Sequence, residues 1–406
     1  MTGSDAFAPL ASSRRREPQA WPAGLELAAF SLCVANAVFL AASYVLGHWL
    51  LDASGSPIAT DFTGFWAAGK LVLEGHGAVY DWDQHKAAAV AALGHDFAGG
   101  YPQFYPPPYF LLLALLPVLP YTASCVVWTA VTALPYVIVI RRIIGERIGI
   151  LLALAFPAVL ANAMIGQNGC ITAALMGGAL LALQRRPVLA GCLFGLLTYK
   201  PHFGMLVPLA LICGQQWRAF ASAAVVTLAL AVLSALILGV SAWQGFLDAL
   251  LTMNANVFSI GTADYAKLQS IFGLVRMSGG SIALAWTLHG VAIAAMAIWV
   301  GAVWFGRAPF AIKAAVLSVG AVICAPYAYM YDLVLLAVPA AFFLRDGRDR
   351  GFLPGEMIGL GAACLLLAIF PLVKAPVGVG ASLIIAGLIA RRWLFPARAG
   401  TQPIAA

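Results

Sequence analysis

Charge is scarce in this chain. Only 10% of its 406 residues are Asp, Glu, Lys or Arg, against about 25% in a soluble globular domain, too few to cover a water-facing surface. A hydrophobic share of 62% and a mean hydropathy of +0.92 place the chain among integral membrane proteins. Acidic residues are rarer than basic ones, 16 against 23, giving a net charge of +7. A basic excess serves nucleic acid only when it forms a patch. Here the arginines sit in short clusters between apolar runs, so no nucleic-acid partner is expected.

Paired cysteines are absent as well. The seven cysteines (33, 125, 170, 192, 213, 324 and 364) are odd in number, lie in or beside apolar stretches and never form Cys-x-x-Cys. A disulfide framework and a zinc site are therefore not expected, and the thiols read as small buried side chains. No Gly-x-Gly-x-x-Gly follows a strand, and neither a Walker loop nor a Gly-x-Ser-x-Gly elbow occurs, which removes the common soluble nucleotide-binding and hydrolase classes. His76, His85 and His95 share one loop at irregular spacing without ligand pattern, and no metal or cofactor is expected. Asp81-Trp82-Asp83 resembles a metal-binding Asp-x-Asp, but Asp81 with Gln84 three residues on fits a helix cap better.

What is present is a series of apolar runs. A helix crossing the bilayer core needs about 20 apolar residues. Runs occur at 25–47, 122–140, 148–165, 168–184, 188–199, 202–214, 218–240, 282–304, 309–326, 328–344, 355–372 and 376–391. The first follows Arg14, Arg15 and Arg16 and is too long for the apolar core of a signal peptide, so it reads as a retained anchor. The expected fold is all-α: a polytopic membrane protein of about twelve transmembrane helices, forming one domain over 25–394 between tails at 1–24 and 395–406. With the N-terminus in the cytoplasm, 17 of the 23 basic residues fall in inner segments and 6 in outer ones, as the positive-inside rule requires. Both termini are then cytoplasmic in a cell (inner) membrane. The run Pro106 to Pro120 is short and proline-bounded, and counting it as a crossing would put Arg141, Arg142 and Arg147 outside. It is assigned as a shallow or interfacial helix. Two large outer loops follow, 48–121 and 241–281.

In so uncharged a chain, an ionisable group at the membrane is a functional candidate, because it costs at least about 2.5–3.5 kcal/mol at the centre of a span. The unusual polar motifs all fall on the outer face: Thr60-Asp61-Phe62 with Phe65-Trp66, Tyr101 to Tyr109, Gly166-Gln167-Asn168, Tyr199-Lys200-Pro201-His202 and Pro326 to Asp332. Each also has a plainer reading. Asp61 fits the N-cap of a following helix, the aromatics fit an interfacial belt, and Gln167 and Asn168 fit a cap on a helical hairpin. Lys200 is harder to dismiss, because it interrupts an apolar stretch just before a proline, where the next half-helix offers unpaired N–H groups to an anion.

One isolated Asp with cations and aromatics on an outer face suits displacement at a sugar carbon from a lipid phosphate. The Asp would take a proton from the acceptor hydroxyl, Lys or Arg would neutralise the departing phosphate, and the rings would stack on the sugar. A lipid or solute transporter, or a ligase or polymerase of lipid-linked glycans, would use some of the same features.

These residues resemble the membrane glycosyltransferases of family 87. That family lies within the GT-C class, uses polyprenyl-phosphate sugars and includes the mycobacterial phosphatidylinositol mannoside mannosyltransferases. The resemblance is carried by Asp61-Phe62 with Trp66-Ala67-Ala68, Tyr80-Asp81, Tyr105-Pro106-Pro107 and Gly166-Gln167-Asn168-Gly169. It continues through Leu189 to Pro201 and Gln216-Trp217-Arg218, covering roughly 55–335 in family order. It implies a GT-C-like fold whose outer loops carry short interfacial helices. It also implies Asp61 as catalytic base in an inverting transfer from a polyprenyl-phosphate hexose, mannose first, to a lipid or glycan hydroxyl. Lys267, Gln269 and Arg276 of the second outer loop would then contact the donor phosphate. Trp66, Tyr105, Gln167, Asn168, Lys200, His202, Tyr327, Tyr331 and Asp332 complete the expected substrate-binding set, with membrane lipids around it. One departure stands out: many relatives have Ser-Pro and a His where this chain has Ala325-Pro326 and then Tyr331-Asp332, so the sugar and acceptor do not carry over.

Overall fold

The computed structural model describes residues 20–75, 78–101, 103–253 and 264–395. His76 and nearly all of the two tails lie outside them. Apart from a two-stranded hairpin, His48–Trp49 with Leu51–Asp52, the regular structure is helical.

Among the described residues, five helices are long and apolar enough to cross a membrane: Leu25–Val45, Tyr121–Ile144, Trp217–Leu238, Ile282–Phe305 and Val377–Leu394. A sixth span exists if Ile148–Ala155 and Pro157–Ile165, bent by 60° at Phe156-Pro157, count as one. Proline at the first position of a helix cannot continue the preceding ladder, which places the bend there. The remaining apolar runs form shorter helices, among them Gly169–Ala182, Pro187–Leu196, Val207–Cys213, Phe310–Ile323 and Glu356–Ala368. Helix length thus supports five or six crossings, where the sequence reading expected about twelve. The difference comes from Pro and Gly, which cut apolar runs into segments of two to four turns.

The shallow helix expected at Pro106 to Pro120 takes the form of two short pieces, Pro108–Leu113 and Leu116–Val118. Both pack on the helix Asp61–Leu73. A second hydrophobic cluster within and beneath the segment 48–121 joins Phe62, Phe65, Leu71, Tyr109, Phe110 and Leu113 to Tyr121, Trp128 and Tyr199. Phe62 and Phe65 are therefore core residues rather than the interfacial aromatics that the sequence offered as one reading. The segment stands on the spanning helices as a packed body.

The main core centres on Phe310–Ile323 and the continuous segment formed by Met330–Leu336 and Ala337–Arg350, whose side chains are nearly all enclosed. Leu25–Val45 and Trp217–Leu238 have few buried residues and turn apolar surface outward, as lipid-facing helices do.

The molecule has two distinct ends. Tyr121 opens its helix beside the segment 48–121, while Ile143, about 33 Å further along the same helix, accepts from Arg345 Nη1 at 3.1 Å. At that second end Arg348 and the Trp21 indole both bind Glu146. Arg392 reaches Asp346 at 2.7 Å and Glu356 Oε1 at 2.7 Å, and Arg350 reaches Asp346 at 2.5 Å. The polar motifs picked out in the sequence gather at the first end.

Candidate functional site

Asp61 is the first residue of Asp61–Leu73, and the residue before it does the capping. Thr60 N–H donates to Thr63 Oγ1 at 3.0 Å, and Thr63 Oγ1 lies 2.8 Å from the Tyr121 hydroxyl, which also donates to the Ile58 carbonyl. The helix start is thereby fixed to the head of a spanning helix. The N-cap role that the sequence allowed Asp61 falls to Thr60, so the Asp61 carboxylate stays available. Among the described residues it accepts one hydrogen bond, from Gln167 Nε2 at 2.9 Å.

Gln167 sits in a tight turn that Gly166, at φ 65°, makes possible. Its Oε1 accepts from the Asn168 N–H at 3.1 Å, which fixes the amide so that its NH₂ faces Asp61. Asn168 Nδ2 donates to the hydroxyls of Tyr105 at 3.0 Å and Tyr109 at 2.9 Å. Tyr109 stacks on Tyr199 at 4.9 Å, and the Tyr199 hydroxyl bonds the Asn168 carbonyl and Thr172. Asn168 holds the N-cap position of Gly169–Ala182 with its carbonyl, but its side chain makes no capping bond; Asn162 Oδ1 accepts from the Gly169 N–H at 2.7 Å instead.

Lys200 lies at the break between Leu197–Tyr199 and Pro201–Gly204. Its side chain is 5% exposed, and Nζ lies 2.5 Å from Asp332 Oδ1. The rings of Tyr331, Tyr105 and Phe203 surround the ammonium at 5.2, 5.7 and 5.9 Å. Asp332 Oδ2 accepts from the Tyr329 N–H at 3.0 Å. Gly169 is required where this turn meets the start of Gly169–Ala182, because a Cβ there would fall on the Tyr331 carbonyl oxygen. Gly169→Ala is therefore expected to displace the Tyr331-Asp332 turn and lower the unfolding free energy by about 1–3 kcal/mol, read as an earlier thermal transition with weakened transfer.

Burial raises the Asp61 carboxyl above the ordinary carboxylate range. The Gln167 hydrogen bond and the charges of Lys200 and Lys267 pull it down, while Asp332 pushes it up. Part of Asp61 remains accessible even so. The arrangement offers an accessible carboxylate of enhanced basicity, an enclosed ammonium and a wall of tyrosines, a set suited to taking a proton and holding an anion near a sugar face.

A family model described as Glycosyltransferase family 87 matches residues 104–326, more than half of the chain. The chain belongs to glycosyltransferase family 87. As a family 87 protein it is a membrane glycosyltransferase, acting on a sugar donor and an acceptor. Comparison with curated proteins and with solved structures returns no match.

The family 87 match contains Tyr105, Gln167, Asn168 and Lys200; Asp61 precedes it, and Tyr331 and Asp332 follow it. The fold brings all seven into one cluster. The other expected site residues are engaged at the edge of this cluster or outside it. Trp66 donates to the Leu119 carbonyl at 3.2 Å and packs near Tyr121. The Gln269 amide is engaged by backbone, accepting from Gly378 N–H at 2.9 Å and donating to Ala266 O at 3.1 Å, so it ties the turn before Ile271–Met277 to the helix Val377–Leu394. Arg276 donates to Gly280 O at 2.7 Å and lies over the Tyr265 ring. His202 packs on Tyr327 at 4.6 Å. Lys267 is exposed, 3.7 Å from Asp264. Asp81 caps its helix through the Gln84 N–H at 2.9 Å, as the spacing indicated. Among the described residues, no three of His, Cys, Asp and Glu gather as metal ligands.

The sequence does not single out Thr172 or Asn162, and Tyr109 and Tyr199 enter it only as members of motifs, outside the expected substrate-binding set. Each lies within or beside a motif that drew attention, but inside a helical stretch where Tyr or Asn reads as ordinary packing. Only the crossing of three elements gives them a role.

Proposed function

We propose that this family 87 enzyme transfers a hexose, mannose first among candidates, from a polyprenyl-phosphate donor to a hydroxyl of a lipid or glycan acceptor. Transfer takes place on the outer face of the cell membrane and inverts the sugar carbon. Asp61 takes the proton from the attacking hydroxyl, and that oxygen forms the new bond to the sugar carbon. The electron pair of the breaking bond leaves on the phosphate oxygen, whose growing charge Lys200 offsets. Tyr105, Tyr331 and the Gln167–Asn168 pair line the place where the sugar lies. One observation carries the reading: a partly accessible carboxylate, held by a single amide, shares a cluster with an enclosed lysine at one end of a membrane protein.

Residues 25–394 act as one membrane domain, with both termini on the arginine-rich side. A reporter fused after Ala406 is expected to read as cytoplasmic, and a periplasmic readout would reverse the orientation.

The donor class is tested in membranes containing the protein. They are supplied with labelled polyprenyl-phosphate mannose or glucose, or with the matching nucleotide sugars under conditions that block their conversion to lipid-linked forms. Label is expected in the lipid extract from a polyprenyl donor only; transfer directly from the nucleotide sugar would refute the donor assignment.

A further inference from the structure

The transfer step leaves Asp332 without a task, although it is among the most enclosed charges in the molecule, at 2% exposure. It is held rigidly from its own side. Oδ2 is fixed by the Tyr329 N–H within the same turn, and that turn is pressed against Gly169 so closely that no Cβ fits between them. Lys200 arrives from another element at the end of a flexible four-carbon stem. Its ammonium has three N–H donors, and among the described residues Asp332 Oδ1 is its one hydrogen-bond acceptor. The aspartate is thus the fixed member of the pair and the lysine the movable one. A buried ammonium without a counter-ion is strongly unfavourable, so an empty site needs Asp332, and an occupied site has two anions for one cation.

We propose that Asp332 is a built-in counter-ion that competes with the ligand phosphate for Lys200, keeping ground-state and product binding weak so that Lys200 commits to the phosphate only as charge develops on it. The proposal rests on the reading of Lys200 as the residue that meets the donor phosphate. Weak ground-state binding with strong late binding is what raises turnover. Asp332 is on this account a positioning residue, acting through Lys200 and not on the sugar.

The test is binding of farnesyl phosphate to the purified full-length protein in detergent, with folding checked by thermal unfolding. Wild type is expected to bind it. Asp332→Asn is expected to bind at least tenfold more tightly, with a lower KM for the polyprenyl donor and a lower kcat as product leaves more slowly. Lys200→Met is expected to bind at least tenfold more weakly, and adding Asp332→Asn to Lys200→Met is expected to gain nothing. Asp332→Glu, which keeps the charge, is expected to stay within about threefold of wild type. Should Asp332→Asn not fold, Asp332→Ser, which keeps an oxygen for the Tyr329 N–H, carries the same expectation. Equal or weaker binding by folded Asp332→Asn or Asp332→Ser, or the same gain without Lys200, would overturn the counter-ion role while leaving the phosphate reading intact. Absence of binding by wild type would overturn both.

Discussion

Asp61→Asn is expected to lower sugar transfer by about a hundred- to ten-thousandfold, the range a positioned general base contributes, while the protein still folds and inserts. The substitution is nearly isosteric. The carbonyl oxygen of the introduced amide keeps an acceptor for Gln167 Nε2, and the Thr60–Thr63–Tyr121 connection that fixes the helix start does not involve the Asp61 side chain. Linkage sharpens the expectation. The Asp61 carboxyl is raised, chiefly by burial, so its protonated form is favoured by the fold, and that contribution is lost as pH rises through the folded value. At neutral pH ionised Asp61 therefore costs stability, and Asp61→Asn is expected to unfold at the same temperature as wild type or a higher one. For the same reason the rate of wild type is expected to fall on the acid side with a midpoint above the usual carboxylate range near 3.9. The charged groups acting on Asp61 are Lys200, Asp332 and Lys267, so that limb is expected to move in Lys200 and Asp332 variants. A transfer rate for Asp61→Asn close to wild type would remove the base.

The second large effect lies at the opposite end. Arg392 is 4% exposed and binds Asp346, also 4% exposed, and Glu356, which is fully buried. Arg392→Leu leaves two enclosed carboxylates short of their shared cation, and removing one member of a buried ion network costs about 3–5 kcal/mol. The expected result is a sharply lower unfolding temperature in detergent. The molecules that remain folded are expected to keep their transfer rate, since Asp346 lies fourteen positions beyond Asp332 along a continuous helical segment. Arg392→Met combined with Glu356→Leu is expected to recover much of the loss, because replacing a buried pair whole is far less harmful than breaking it. A single variant as stable as wild type would show that the network does not hold the last helix in place.

The two ends were unequally legible in the sequence. At the site end, Lys200 stood out because a cation in an apolar stretch before a proline is rare, and Gly166-Gln167-Asn168 because polar amides flanked by glycines rarely interrupt such runs. Local pattern was enough for these, and for the Asp81 cap. It did not reveal that Lys200 pairs with Asp332, 132 residues away, or that Gln269 spends its amide on the backbone of Gly378. Those facts depend on which helices become neighbours. Arg392 illustrates the same limit: a charge count placed it among inner-face cations, yet it is buried in an ion network, because that count registers sign and position along the chain but not burial. The number of full-length helices was hidden for a related reason. Hydropathy measures apolar runs, whereas Pro157, Pro187 and Pro201 decide where helices end.

The most direct test of the account is transfer of labelled hexose from polyprenyl-phosphate mannose or glucose into the lipid extract of membranes carrying either wild-type protein or Asp61→Asn at equal abundance. A new labelled product with wild type, lost with the variant, is the predicted result. Equal labelling by the two proteins, or none from either donor with wild type folded and inserted, would contradict it.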